Sequence, residues 1–141
     1  MCGIAGWLNG SHDQQTLLAM VEALNHRGPE SVGVYDGARV QLGHARLSIV
    51  DVEGGRQPLQ NEDGTIWVIA NGEIFNYVEL REELIAQGHH FRTSSDCEVL
   101  VHLYEQLGTE SFSRLNGQYA FALWQAGAPG FQPESVKTAT R

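Results

Sequence analysis

The order of helix-like and strand-like segments constrains the fold of this chain more than any other feature. Apolar runs, alternation and turn signals predict strands at residues 1–8, 31–35, 39–44, 47–52, 65–70, 90–93 and 118–124. Capping signals and helical spacing predict helices that begin at Ser11, Asn76 and Ser95. Helices inserted between groups of strands favour an α+β domain with largely antiparallel sheets.

The composition changes after Gln125. Residues 126–141 show no periodicity, hold two of the four prolines and carry the only lysine, Lys137. We therefore predict one domain over residues 1–125 and a flexible tail over 126–141.

Charge and cysteine content exclude several classes of function. A net charge of -8 over 141 residues argues against binding to nucleic acid or to an anionic membrane. We see no apolar run long enough for a membrane span and no secretory signal. Cys2 and Cys97 are the only cysteines, so no disulfide framework is predicted and a reduced, cytoplasmic setting is expected.

Cys2 is a candidate N-terminal nucleophile. Methionine before a small residue is readily removed, which would place the thiol beside its own α-amine. That amine has a reference pKa of about 8 and can take the thiol proton, so one residue supplies nucleophile and base. The alternative is a buried structural cysteine in an apolar strand, and position 2 alone does not decide between them.

Asn71 and Gly72 follow directly on the predicted strand 65–70. A side-chain amide and a backbone N–H at this point can together hold a developing oxyanion, although an ordinary Asn-Gly turn is the alternative. Arg46 lies among apolar neighbours and should face an anion, since its fork matches a carboxylate. An ion pair with Asp51 is equally compatible with the local sequence.

Two carboxylates complete a pattern that suits glutamine. Glu73 and Asp96 are candidates to accept the ammonium group of an amino acid, although Asp96 could merely favour the dipole of its helix. In this hypothesis Arg46 holds the α-carboxylate of glutamine, and Cys2 attacks the side-chain amide carbon.

Seven motifs together resemble class II glutamine amidotransferase domains. They are residues 1–6 (MCGIAG), 25–30 (NHRGPE), 44–51 (HARLSIVD), 57–59 (QPL), 71–76 (NGEIFN), 95–98 (SDCE) and 115–122 (LNGQYAFA). The resemblance runs from Met1 to about Trp124. It is greatest to the N-terminal domain of glutamine-hydrolysing asparagine synthetases, because Leu-Ser-Ile-Val-Asp follows Arg46 and Glu73 follows Gly72.

The resemblance implies an N-terminal nucleophile hydrolase fold, a four-layer αββα sandwich of antiparallel sheets. It also implies a catalytic Cys2 with Asn71 and Gly72 as the oxyanion site. The implied glutamine-binding residues are Arg46, Leu47, Ile49, Val50, Asn71, Gly72, Glu73 and Asp96. Members of this class form a glutamyl thioester, hydrolyse it and pass ammonia through a tunnel to a synthetase domain.

The chain also departs from the family pattern. It lacks the further sheet strands, with an Arg-Asp pair and a Gly…Pro-Leu-Tyr segment, and it lacks the synthetase domain with its Ser-Gly-Gly loop. We therefore expect a C-terminally truncated domain with an unpaired sheet edge that is weakly stable, dimeric or weakly active. No cofactor is expected in this chain, since ATP and Mg would belong to the absent synthetase domain.

Two other functions are compatible with parts of the sequence. A non-catalytic remnant or interaction domain would keep the fold without the chemistry. A metal site would use Cys2, Cys97 and some of the six histidines, but no pair has the close spacing of zinc ligands on both sides, so no metal ligands are predicted. The pair His89-His90 is predicted instead as a partly exposed strand start.

Overall fold

The computed structural model of the protein describes residues 1–9, 13–127 and 135–140. Its strands are β1 (Gly3–Leu8), β2 (Ser31–Asp36), β3 (Val40–Arg46), β4 (Leu59–Gln60), β5 (Ile66–Ile74), β6 (Gly117–Gln125) and β7 (Ser135–Thr140). Its α-helices are α1 (Gln14–Ala23), α2 (Tyr77–Ala86) and α3 (Val99–Leu107), with 3₁₀ turns at Asp96–Glu98 and Gly108–Arg114.

The strands of the described residues form two antiparallel sheets. The first has the order β1-β3-β2 and the second the order β4-β5-β6-β7. The prediction of a mixed α+β domain with antiparallel sheets is therefore confirmed. No helix in the described part of the chain is long and apolar enough to cross a membrane.

Alternation along β3 explains how the layers stack. Ala45 faces α1 and packs with Leu17 and Val21, whereas Leu42 faces the second sheet and packs with Ile69. The helix lies close to β3, since a Cβ on Gly43 would come within 2.3 Å of the Val21 side chain. Helix α1 therefore covers one face of the first sheet, and the second sheet covers the other.

The largest core lies on the other side of the second sheet. There the inward side chains of β5 and β6 pack against α2 and α3. Its fully buried members include Val68, Ile74, Leu84, Val99, Leu103, Phe121 and Leu123. These contacts order the elements as helix, sheet, sheet and helices.

Two predicted strands are wrong. Residues 47–52 form a loop because their carbonyl groups turn toward the Arg46 guanidinium instead of a neighbouring strand. Residues 90–93 form no strand because the amides of Arg92 and Thr93 donate to the Glu98 carboxylate, at 2.7 and 2.8 Å. The predicted strand start at His89-His90 is wrong with it.

Other boundaries differ by local hydrogen bonding. Asp13 caps α1 by accepting from the Thr16 amide, whereas the predicted cap, Ser11, lies outside the described residues. Ser95 caps its helix as predicted, but it accepts from the Cys97 amide and begins a 3₁₀ turn. Strand β5 does not end at Asn71, because it continues to pair with β6 as far as residue 74.

The tail predicted as flexible contains strand β7 in its described part. It pairs with β6 so that Ala139 lies opposite Phe121 and packs against the largest core. Residues 136, 138 and 140 are all β-branched, and such residues favour a strand. The alternation covers only a few residues, so the sequence did not predict this strand. In the described residues the edge strand on this side of the second sheet is therefore β7 and not β6. The rest of the predicted tail, 128–134 and 141, lies outside the described residues.

Candidate active site

A cavity of about 170 Å³ lies where the chain start, the end of β3, the middle of β5 and the 3₁₀ turn before α3 meet. All the residues predicted to act on glutamine line it. They are Cys2, Arg46, Leu47, Ile49, Val50, Asn71, Gly72, Glu73 and Asp96. The fold thus brings four separate segments together, while the role of each residue stays a prediction.

Cys2 is held at the cavity by its neighbours. The amide of Leu47 donates to the Cys2 Sγ at 3.4 Å, and the thiol is 3.5 Å from the Leu47 carbonyl. Arg27 anchors the backbone by donating from Nε to the Cys2 carbonyl at 3.0 Å. Met1 is 70% exposed and is therefore accessible for removal. The Cys2 thiol is held in place by its contact with the Leu47 amide.

Arg46 is buried but makes no ion pair with Asp51. Its Nη1 donates to the Val52 carbonyl at 2.9 Å, and its Nη2 donates to the carbonyl of Asp51 at 2.5 Å. The Asp51 carboxylate accepts instead from the amides of Gly54 and Ser94. No carboxylate of the described residues lies within 4.0 Å of this guanidinium, and its hydrogen bonds go to backbone carbonyls instead.

His44 also lines the cavity, and the sequence did not single it out as a site residue. Burial, with a smaller contribution from the charge of Arg46, lowers the pKa of His44 to about 4 against the opposing effect of its hydrogen bond to Ala70. The ring is therefore neutral at pH 7. Its Nε2 lies 3.1 Å from the Ala70 carbonyl, which only accepts, so this nitrogen carries the proton.

Asn71 and Gly72 lie in β5 at a point where the backbone of β6 comes very close. Gly72 has a φ of +155°, and a Cβ there would come within 2.1 Å of the Gln118 carbonyl oxygen. A side chain at this position is excluded because β6 lies so close. The Oδ1 of Asn71 is buried and accepts no hydrogen bond from the described residues, so this oxygen is available to a hydrogen-bond donor of a ligand.

The two carboxylates differ in their surroundings. Asp96 is buried, and its Oδ2 accepts from the Ile74 amide at 2.8 Å, which ties the 3₁₀ turn to the end of β5. This contact is more than an interaction with a helix dipole. Glu73 is exposed and lies at the mouth of the cavity.

The second cysteine is chemically different from the first. Cys97 is buried, and burial raises the pKa of its thiol well above the ordinary value, with a further contribution from the Asp96 charge. It therefore stays protonated at neutral pH and is a poor nucleophile.

Several residues that line the cavity were not predicted from the sequence as site residues. They are Met1, His44, Gly55, Gln57, Ala70, Ser95, Cys97 and Gln118. Gln57 accepts from the Ala70 amide through Oε1 at 2.6 Å, and a Cβ on Gly55 would lie 3.0 Å from the Arg46 Nη2. The sequence did offer a signal for the contact between Gly55 and Arg46. The adjacent glycines Gly54 and Gly55 indicate a place where the backbone approaches another group closely.

The two antiparallel sheets and the cavity at Cys2 are those of an amidotransferase domain. The family model described as a glutamine amidotransferase domain matches residues 1–129, so the chain belongs to this family. This confirms the resemblance to class II glutamine amidotransferase domains.

Named relatives make the likeness more specific. The chain is 48% identical over 130 residues to asparagine synthetase [glutamine-hydrolyzing] 1 of Bacillus subtilis (strain 168), covering 88% of this chain and 21% of the relative. It is 44% identical over 136 residues to a probable asparagine synthetase [glutamine-hydrolyzing] of Dictyostelium discoideum, covering 93% and 24%.

A solved structure is also similar. The structure of glutamine phosphoribosylpyrophosphate amidotransferase from B. subtilis, complexed with ADP and GMP, matches with a TM-score of 0.69 at 25% identity, over 89% of this chain and 35% of that one. The two asparagine synthetases are much longer than this chain, which spans only about a fifth to a quarter of their length.

Proposed function

We propose that this domain hydrolyses the side-chain amide of glutamine to glutamate and ammonia, with Cys2 as the nucleophile once Met1 is removed. The observation that carries the proposal is the shared cavity. In it the Cys2 thiol, the buried Arg46 guanidinium without a carboxylate partner and the buried Asp96 carboxylate surround one space. Membership of the glutamine amidotransferase family supports the same reaction.

The proposed reaction has two halves. The α-amine of Cys2 takes the thiol proton, and the thiolate attacks the amide carbon of glutamine. The C–N bond then breaks, the ammonium of Cys2 returns the proton to the leaving nitrogen, and ammonia departs from a glutamyl thioester. Water, deprotonated by the same amine, attacks the thioester, the C–S bond breaks, the ammonium of Cys2 returns the proton to the leaving thiolate, and glutamate leaves.

The surrounding residues have separate roles in this proposal. The Asn71 side chain and the Gly72 amide hold the oxyanion of both tetrahedral intermediates. His44 is unsuited as the base, because a pKa of about 4 makes it a poor proton acceptor at neutral pH. The base in this proposal is therefore the α-amine of Cys2 and not this histidine.

The substrate is held at its other end by charge. Arg46 binds the α-carboxylate, while Glu73 and Asp96 bind the α-ammonium. Leu47, Ile49 and Val50 also line the cavity, and in this proposal their main chain completes the binding surface for glutamine.

The decisive experiment combines mass spectrometry with an assay for glutamate release. The purified chain is treated with a glutamine-like electrophile, and we expect loss of Met1, a single adduct on Cys2, and glutamate release that Cys2→Ala abolishes. Cys97→Ala is the matched control, since that thiol is buried and stays protonated; its variant should still be modified at Cys2. Retained Met1, or hydrolysis unchanged in Cys2→Ala, would contradict the proposal. A free Cys2 that binds glutamine without hydrolysing it would favour the non-catalytic alternative.

We further propose that the fold is of the N-terminal nucleophile hydrolase type and that the released ammonia serves a synthetase region in asparagine biosynthesis in the cytoplasm. The names of the relatives support this, and such a region would supply the ATP and Mg chemistry that we do not assign to this chain. Glutamine-dependent asparagine formation in the presence of a synthetase region, absent with Cys2→Ala, is the expected result. Light scattering of the purified chain tests whether it forms a homodimer, which is one of the three consequences expected of a truncated domain.

A further inference from the structure

A second group of polar side chains lies outside the glutamine cavity. Glu62 follows β4, His89 follows α2, and His102 and Glu105 lie three residues apart on α3, so they share one face of that helix. One ligand atom from each of the four lies within 4.8 Å of all the others. None of these residues lines the cavity at Cys2.

The distances inside this cluster are those of a small coordination sphere. His89 Nδ1 lies 3.2 Å from Glu62 Oε1 and 3.8 Å from Glu105 Oε2, and His102 Nδ1 lies 3.2 Å from Glu62 Oε2. Metal bonds of about 2.0 to 2.2 Å at tetrahedral angles separate the ligand atoms by roughly 3.3 Å. Two of these three distances are already close to that value, and the four ligand atoms all lie within 4.8 Å of one another, so the cluster has to contract to enclose an ion.

The surroundings of His102 are an independent observation that points to a ligand. Its side chain is only 1% exposed, and neither ring nitrogen has a hydrogen-bond partner among the described residues. The Oε2 of Glu62, 3.2 Å from the ring, is buried and equally without a hydrogen bond. Two buried polar atoms that contact each other without a hydrogen bond are costly, and an ion bound to both would satisfy them.

The outer contacts orient both rings with Nδ1 toward the cluster. His89 Nε2 lies 3.3 Å from the Gln106 side-chain oxygen, and His102 Nε2 lies 3.6 Å from Glu98 Oε1. Metal-binding histidines commonly direct their other ring nitrogen to a carbonyl or carboxylate in this way. The Glu62 side chain is held as well, because the His90 amide donates to its Oε1 at 2.8 Å.

We propose that Glu62, His89, His102 and Glu105 form a binding site for one divalent transition-metal ion of the zinc class. Two imidazole nitrogens with two carboxylate oxygens suit Zn²⁺ better than Mg²⁺ or Ca²⁺, which prefer all-oxygen sites. The ion joins the segment after β4, the segment after α2 and helix α3. The site is structural, and it does not depend on the proposed glutamine hydrolysis.

The experiment is a titration of the metal-stripped chain with Zn²⁺, followed by calorimetry and by thermal unfolding. We expect one ion per chain and a rise in the melting temperature. His89→Ala and Glu105→Gln each remove one ligand from a partly exposed position, and each should weaken Zn²⁺ binding at least about tenfold. His102 is left intact because its replacement in the core could prevent folding.

The matched control is His90→Ala, an exposed histidine beside His89 whose side chain is outside the cluster. Its affinity for Zn²⁺ should equal that of the unaltered chain. Cys2→Ala tests whether the thiol and amine of the chain start bind the ion instead. Absence of Zn²⁺ uptake, binding unchanged in His89→Ala, or binding lost in Cys2→Ala would each overturn the proposal.

Discussion

The buried His44 should make the stability of this protein depend on pH in a range set by the structure. The ring is 1% exposed, and burial together with the Arg46 charge lowers its pKa to about 4 against the opposing hydrogen bond to Ala70. In the unfolded chain the same histidine has a pKa of about 6.5. Between these values the unfolded state binds the extra proton, so the free energy of unfolding falls as the pH falls from about 6.5 to about 4.

The size of the effect follows from the two pKa values. Above about pH 6.5 neither state is protonated at His44, and its contribution is fully present. At about pH 5 nearly all unfolded molecules and few folded ones carry the proton, which lowers the free energy of unfolding by about 2 kcal/mol. Near pH 4 and below the loss approaches about 3 kcal/mol.

A comparison with His44→Gln isolates this contribution from that of other titrating groups. Glutamine does not titrate, yet it keeps an N–H donor for the Ala70 carbonyl. Urea unfolding followed by tryptophan fluorescence at about pH 7 and about pH 5 should show that the unaltered chain loses about 2 kcal/mol more than the variant. Equal losses in the two proteins would refute the reasoning, because they would mean that His44 is not desolvated in the folded state.

Three further predictions concern the core and the cavity. Gly72→Ala should lower the free energy of unfolding by about 3 kcal/mol in urea titrations, since its Cβ would collide with the main chain of β6; an unchanged midpoint would contradict the register of this ladder. Leu123→Ala removes a fully buried side chain and should cost about 2 to 5 kcal/mol by the same measurement, whereas a cost below about 1 kcal/mol would place it outside the core. Arg46→Lys loses the planar fork that bonds the carbonyls of the following loop, and the KM for glutamine should rise about tenfold or more; an unaltered KM would remove this residue from the substrate site.

Sequence patterns predicted the fold class because its main signals are local. The alternation in 118–124 and the apolar run in 65–70 correspond to β6 and β5, and the apolar spacing after Ser95 corresponds to α3. The patterns predicted a strand wrongly where a tertiary contact binds the backbone carbonyls that a strand would pair. Residues 47–52 are rich in β-formers, but their carbonyls bind a buried guanidinium instead.

The candidate active site was largely predictable because its residues occur in short motifs with recognisable chemistry. The ion pair suggested for Arg46 was wrong, since only the folded chain shows that the Asp51 carboxylate bonds two backbone amides. The proposed metal cluster was not predictable, because Glu62, His89 and His102 come from three segments without zinc-ligand spacing.

The sequence by itself determined which chemical groups the chain carries, most of the segments that form its strands and helices, and to which family it belongs. Only the tertiary structure decided that the Arg46 charge lacks a carboxylate partner, that His44 is neutral, that β7 pairs with β6 and that His102 faces Glu62. The physical reason is that local propensity depends on neighbours along the chain. Desolvation, unpaired charge and strand pairing depend on residues that are distant in sequence and meet only when the chain folds.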